Sequence, residues 1–204
     1  MMKFWKKTGS ILAAIGAGCL LSLVVAAPVP AELPEEGEWR ALELLQQISR
    51  TPDSDVEARE ELYLTLVREN SDPLAAQEAL WALSELYLDD FEEPREDEAR
   101  EMLELFLERY PSSHWRFQVK SRLVALYQSS DNPERRAVLC EELLSGELDP
   151  LWRLSLLGTC ADSWKEAGEG KRAERWYSLI VKEYPSTPEA DDARERLKAL
   201  KKKQ

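Results

Sequence analysis

The chain has 204 residues, 44% hydrophobic and 32% charged, which is enough for one domain with its own core and without a metal or disulfide framework. Acidic side chains outnumber basic ones 39 to 27, and three of the lysines lie in residues 1–31, leaving 24 basic groups against all 39 acids on the remainder. A surface that acidic repels phosphate backbones, which excludes general nucleic-acid binding and adhesion of the folded part to anionic lipid.

Met1 to Ser10 carries Lys3, Lys6 and Lys7, and Ile11 to Val29 has no charged residue. A basic stretch joined to an apolar one is the pattern of a targeting segment. Val29-Pro30-Ala31 ahead of Glu32 supplies the small or apolar residues of a signal-peptidase site, while the apolar run is nearly long enough to span a bilayer as a retained anchor helix. Cleavage and retention both place residues 32–204 on the non-cytoplasmic side, in the periplasm or on the outer face of the inner membrane. Contact with the membrane is then expected only through a retained residues 1–31.

Beyond Glu36 there is no alternating β-branched run, and apolar residues recur at helical spacing. The spacing predicts helices over 37–49, 54–69, 73–89, 95–109, 113–128, 133–145, 150–167, 170–183 and 187–202, with Asp72-Pro73, Pro94, Tyr110-Pro111, Asn132-Pro133, Asp149-Pro150 and Tyr184-Pro185 at their boundaries. Turns this short force antiparallel neighbours. Helices starting near 73, 113 and 150 repeat at 40 and 37 residues, the period of a two-helix repeat.

Within that period Cys160-Ala161, Trp164, Gly168, Ala173, Tyr177, Ile180 and Pro185 form the clearest unit. Leu83-Ser84, Tyr87, Ala99, Leu103, Phe106 and Pro111 repeat it with about three extra residues in the turn, and Leu123, Val124, Tyr127, Ala137, Leu144 and Pro150 repeat it more loosely. The pattern resembles the tetratricopeptide family. Small residues stand where two helices cross closely, aromatics fill the space beside them, and Gly168 suits a left-handed turn. Tyr110-Pro111-Ser112-Ser113 and Tyr184-Pro185-Ser186-Thr187 further resemble the bacterial envelope branch of that family, which includes outer-membrane assembly lipoproteins and the Tol-Pal accessory protein. The resemblance implies an all-α fold, a right-handed superhelical array of antiparallel helix pairs forming a tetratricopeptide-like (TPR-like) α-solenoid, preceded by an N-terminal apolar helix. The expected division is a signal peptide or anchor at 1–31, a helical pair or cap at 32–72, repeats at 73–186, and a capping helix with a basic tail at 187–204.

Chemistry finds little foothold. His114 is the single histidine, so neither a catalytic triad nor a multi-histidine metal site can be assembled, and no enzyme activity, cofactor or metal is expected. Cys140 and Cys160 fall on adjacent predicted helices at an offset approaching one turn, which leaves open both a disulfide and a pair of small buried hydrophobes. Trp81, Trp115 and Trp152 lie in the first helices of successive repeats, which the resemblance implies line a concave groove, and any left exposed would anchor a partner. Arg116 and Lys120, with Arg122, follow Trp115 and are candidates for holding a partner's carboxylate. The expected function is a non-catalytic scaffold of the bacterial cell envelope that receives a peptide or helix of another envelope protein. The alternative is a structural subunit that packs laterally into an envelope assembly without a free groove, and the oligomeric state stays open.

Overall fold

Apolar residues at helical spacing, interrupted by prolines with polar residues in front of them, produce helices separated by tight turns. The structure, a computed structural model, describes residues 36–69 and 72–202. The expected leader, its apolar helix and the end of the basic tail lie outside the described residues. Among those described the secondary structure is helical throughout: α1 (Glu36–Arg50), α2 (Val56–Glu69), α3 (Pro73–Asp89), α4 (Glu96–Arg109), α5 (Arg116–Leu126), α6 (Pro133–Leu144), α7 (Pro150–Glu166), α8 (Gly170–Glu183) and α9 (Pro188–Lys201). No described helix is long and apolar enough to cross a membrane.

Four helix starts share one device. Asp72, Asn132, Asp149 and Thr187 accept hydrogen bonds from backbone N–H groups of the first turn, and a proline follows each at the first helical position. The cap satisfies donors that the helix leaves unpaired, and the proline has no donor to lose. Pro94, Pro111 and Pro185 instead sit in the turns ahead of α4, α5 and α9. α5 therefore begins at Arg116 rather than near 113: Ser113 Oγ accepts from Trp115 N at 3.2 Å, and the segment after Pro111 is spent on a turn.

Each helix packs chiefly on its neighbours in sequence, so the molecule is a TPR-like solenoid of helix pairs, α3–α4, α5–α6 and α7–α8, flanked by α1–α2 and by α9. Its core has a strict register. In the second helices Ala99, Arg136 and Ala173 are equivalent, as are Leu103, Cys140 and Tyr177, and Phe106, Leu143 and Ile180; every set recurs at 37 residues and every member is buried. In the first helices Ser84, Val124 and Ala161 are equivalent, as are Tyr87, Tyr127 and Trp164; the longer first step comes from the extra residues between α3 and α4.

Ala137, expected as the small crossing residue alongside Ala99 and Ala173, is buried, but the 37-residue register puts Arg136 in that position. A buried guanidinium needs partners. Arg136 finds them in Ser163 Oγ (2.7 Å), the Tyr127 carbonyl (3.4 Å) and the Glu166 carboxylate. At the α7–α8 turn Gly168 adopts φ 81°, the left-handed conformation expected of it.

Candidate functional site

Rigid presentation of a surface requires the repeats to be fixed to one another, and a clasp centred on one carboxylate recurs at their junctions. Glu60 on α2 accepts from Tyr87 Oη (2.7 Å) and Arg95 Nη1 (3.2 Å). Glu104 on α4 accepts from Tyr127 Oη (2.9 Å) and from Arg135 through Nε (2.8 Å) and Nη2 (2.5 Å). Glu141 on α6 accepts from Trp164 Nε1 (2.8 Å), Arg172 Nη2 (3.1 Å) and Trp176 Nε1 (3.1 Å). Each carboxylate thus ties a second helix to residues within or capping both helices of the next repeat. Burial pushes the Glu104 carboxyl upward, but hydrogen bonds from Arg135 and Tyr127 together outweigh it and hold it below its ordinary range. Burial, then the bond to Glu104, pushes the Tyr127 phenol up to about 12.

The first helices carry an aromatic face over this frame. Trp81 of α3 and Trp115 at the head of α5 line one shallow recess with Gln118, of ≈ 190 Å³. Trp115 is shared between surface and core, because its other side stacks on Phe106 at 6.4 Å with the rings 8° from parallel. Trp152 of α7 lies in a second place, where it meets Phe117 of α5 edge-to-face at 5.0 Å. Both residues keep more than a third of their surface in solvent, Phe117 37% and Trp152 36%. Leu151 beside them is 79% exposed.

The predicted cations do not join the tryptophans. Arg116 and Lys120 line a separate recess of ≈ 380 Å³ with Glu104, Glu108, Arg135 and Glu142. Lys120 Nζ is paired with Glu142 at 2.6 Å, and Arg116 donates to the Pro111 carbonyl at 3.4 Å. Arg122 lies 2.9 Å from Glu85, an ionic contact without hydrogen-bond geometry. Phe117 is not among the residues the sequence pattern selects: its place beside Trp152 comes from a side-chain contact between two helices far apart in sequence, and the signal available in the sequence is its position two residues after Trp115.

No protein-family model matches the chain, and no curated protein matches it. Among solved structures, it is similar to two structures of TPR-like repeats of a Podosopora anserina kinesin light chain protein, with 15% and 16% identity over 83% of this chain and 88% of theirs, each at a TM-score of 0.48. BtubC (BKLC) from P. vanneervenii is 20% identical over 81% of this chain and 74% of its own, at a TM-score of 0.47. At this degree of similarity the assignment of the fold rests on the helix pairing and the 37-residue register described above.

Cys140 and Cys160 are both buried free thiols in this structure. Burial pushes Cys140 up to about 12 and Cys160 higher, so neither carries thiolate character near neutral pH. His114 is exposed, with its ring edge-on to Trp115 at 5.7 Å. Among the described residues no group of three or more His, Cys, Asp or Glu side chains is placed to hold a metal.

Proposed function

We propose that the chain is a non-catalytic protein–protein scaffold that receives a segment of another protein across the face formed by α3, α5 and α7. The carrying observation is the partly exposed Phe117–Trp152 pair together with the Trp81–Trp115 recess, two apolar features presented on a frame of clasped repeats. Two apolar sites on successive first helices suit a peptide or helix that inserts side chains into both. Burying an indole contributes far more than the polar contacts around it, and truncating an aromatic at such a site costs about 2 kcal/mol or more in binding.

The partner is another envelope protein in this reading. Support comes from the basic and apolar character of residues 1–31, which would export or anchor the chain and leave 32–204 outside the cytoplasm. The Tyr-Pro-Ser segments at 110–113 and 184–187 point the same way.

The test is capture from envelope extract by the wild type and by Trp81→Ala and Trp152→Ala. Both variants should keep the wild-type melting temperature within a few degrees and lose a partner that the wild type retains; equal capture would remove the aromatic face as the site. Sedimentation of residues 32–204 addresses the lateral-packing subunit, which requires stable self-association instead of a monomer. Mass measurement of the mature N-terminus shows whether residues 1–31 are removed.

A further inference from the structure

Because the repeats share one register, equivalent recesses can be compared within the chain. The recess between α4, α5 and α6 and the recess between α6, α7 and α8 correspond at 37 residues: Glu104 to Glu141, Leu107 to Leu144, Glu108 to Ser145, Arg116 to Arg153 and Glu142 to Leu179. The first holds three carboxylates (Glu104, Glu108, Glu142) against three cations (Arg116, Lys120, Arg135). In the second, of ≈ 450 Å³, only Glu141 remains, against Arg153, Arg175 and Lys182, and Trp176 joins Leu144 and Leu179 along its lining. The same architecture has changed from charge-balanced to cationic and apolar.

Two of those cations are unspent. Arg153 is held by Glu183 at 3.0 Å, but among the described residues neither Arg175 nor Lys182 has a carboxylate within 4 Å. Both side chains are exposed, and Arg175 lies 5.6 Å from the Trp176 ring. This happens in a chain where acids are in large excess, though unevenly: residues 36–110 carry 22 acids and 7 bases, residues 111–204 carry 15 and 17. Arg175 and Lys182 are seven residues apart on α8, so they share a face about 10 Å apart, with Trp176 and Leu179 between them along the helix.

We propose that the recess between α6, α7 and α8 is a second binding surface, for an acidic protein segment whose carboxylates lie about two helical turns apart around a bulky apolar side chain. The carboxylates meet Arg175 and Lys182, and the apolar side chain rests against Leu144, Trp176 and Leu179. The surface shares no lining residue with the aromatic face and does not depend on it.

The probe is a blocked, alanine-based helical peptide with Glu, Leu and Glu at positions i, i+4 and i+7, titrated into the isotope-labelled full chain, with a Lys-Leu-Lys peptide as control. The Trp176 indole N–H, which donates to Glu141, should move on addition of the glutamate peptide while that of Trp81, on the aromatic face, stays, and the lysine peptide should do nothing. Arg175→Val with Lys182→Ser installs the residues of the equivalent positions, Val138 and Ser145, and should weaken binding about tenfold at low salt. Ser145→Glu with Leu179→Glu restores the carboxylates of the balanced recess and should abolish it. Trp152→Ala should bind as the wild type does. The proposal is overturned by an unmoved Trp176 resonance, by equal binding to the charge-restored variant, by a loss confined to Trp152→Ala, or by phosphatidylserine vesicles that displace the peptide from Trp176.

Discussion

Two glycines in the last repeat illustrate how position decides the sign of a substitution. Gly168 has φ 81°, a conformation that costs an L side chain about 1–2 kcal/mol, so Gly168→Ala should lower stability by that amount. Gly158 lies in the interior of α7 with nothing within 4 Å of the position its Cβ would take, so Gly158→Ala should raise stability by about 0.5–1 kcal/mol through lost backbone freedom in the unfolded chain. Urea midpoints of the two variants check both signs. The buried thiols give a second expectation: in a Cys19→Ser background, Cys140 and Cys160 should resist a disulfide reagent at pH 7.5 and both react once the chain is unfolded. Rapid modification of the native protein would contradict the burial described.

At the scale of elements, the clasps decide how one repeat sits on the next. The Glu104 carboxyl is held below its ordinary value of 4.5 in the folded state, so its contribution is fully present above that pH and is lost as pH falls through the folded value. Denaturation midpoints followed from pH 7 to 3 should therefore fall more steeply for the wild type than for Glu104→Gln, which cannot take up the proton. The helices themselves were legible in the sequence because capping residue, proline and apolar period all point to one answer, as at Asp149-Pro150. The clasps were not. They join residues 23 to 35 positions apart, Glu60 to Tyr87 and Arg95, Glu104 to Tyr127 and Arg135, Glu141 to Trp164, Arg172 and Trp176, and in a chain with 39 acids no pattern distinguishes these carboxylates from solvated ones.

For the whole molecule, stacking in one dimension makes stability a sum over neighbours. α9 buries Ala190 and Ala193 and sends Arg196 to Asp162 of α7, so it closes only the C-terminal end. Removing residues 188–204 should increase amide exchange in α7 and α8 and leave α1–α3 unchanged; a uniform rise along the array would show a single cooperative unit instead. The same modularity allows two surfaces with different chemistry, an aromatic one on the first helices and a cationic one at the α6–α8 recess, to coexist on one frame.

Local chemistry determined the all-helical character, the proline-led starts of α3, α6 and α7 and the left-handed Gly168, because each is encoded within a few residues of chain, and the recurrence of those local signals along the chain gave the repeat period. Tertiary structure decided what each face became. Trp115 and Arg116 are neighbours in sequence, yet consecutive helical residues point about 100° apart, and they open into different recesses. Likewise Arg136, not Ala137, occupies the small-residue position, because Ser163 and Glu166 of the next helix supply the partners that let a guanidinium be buried there.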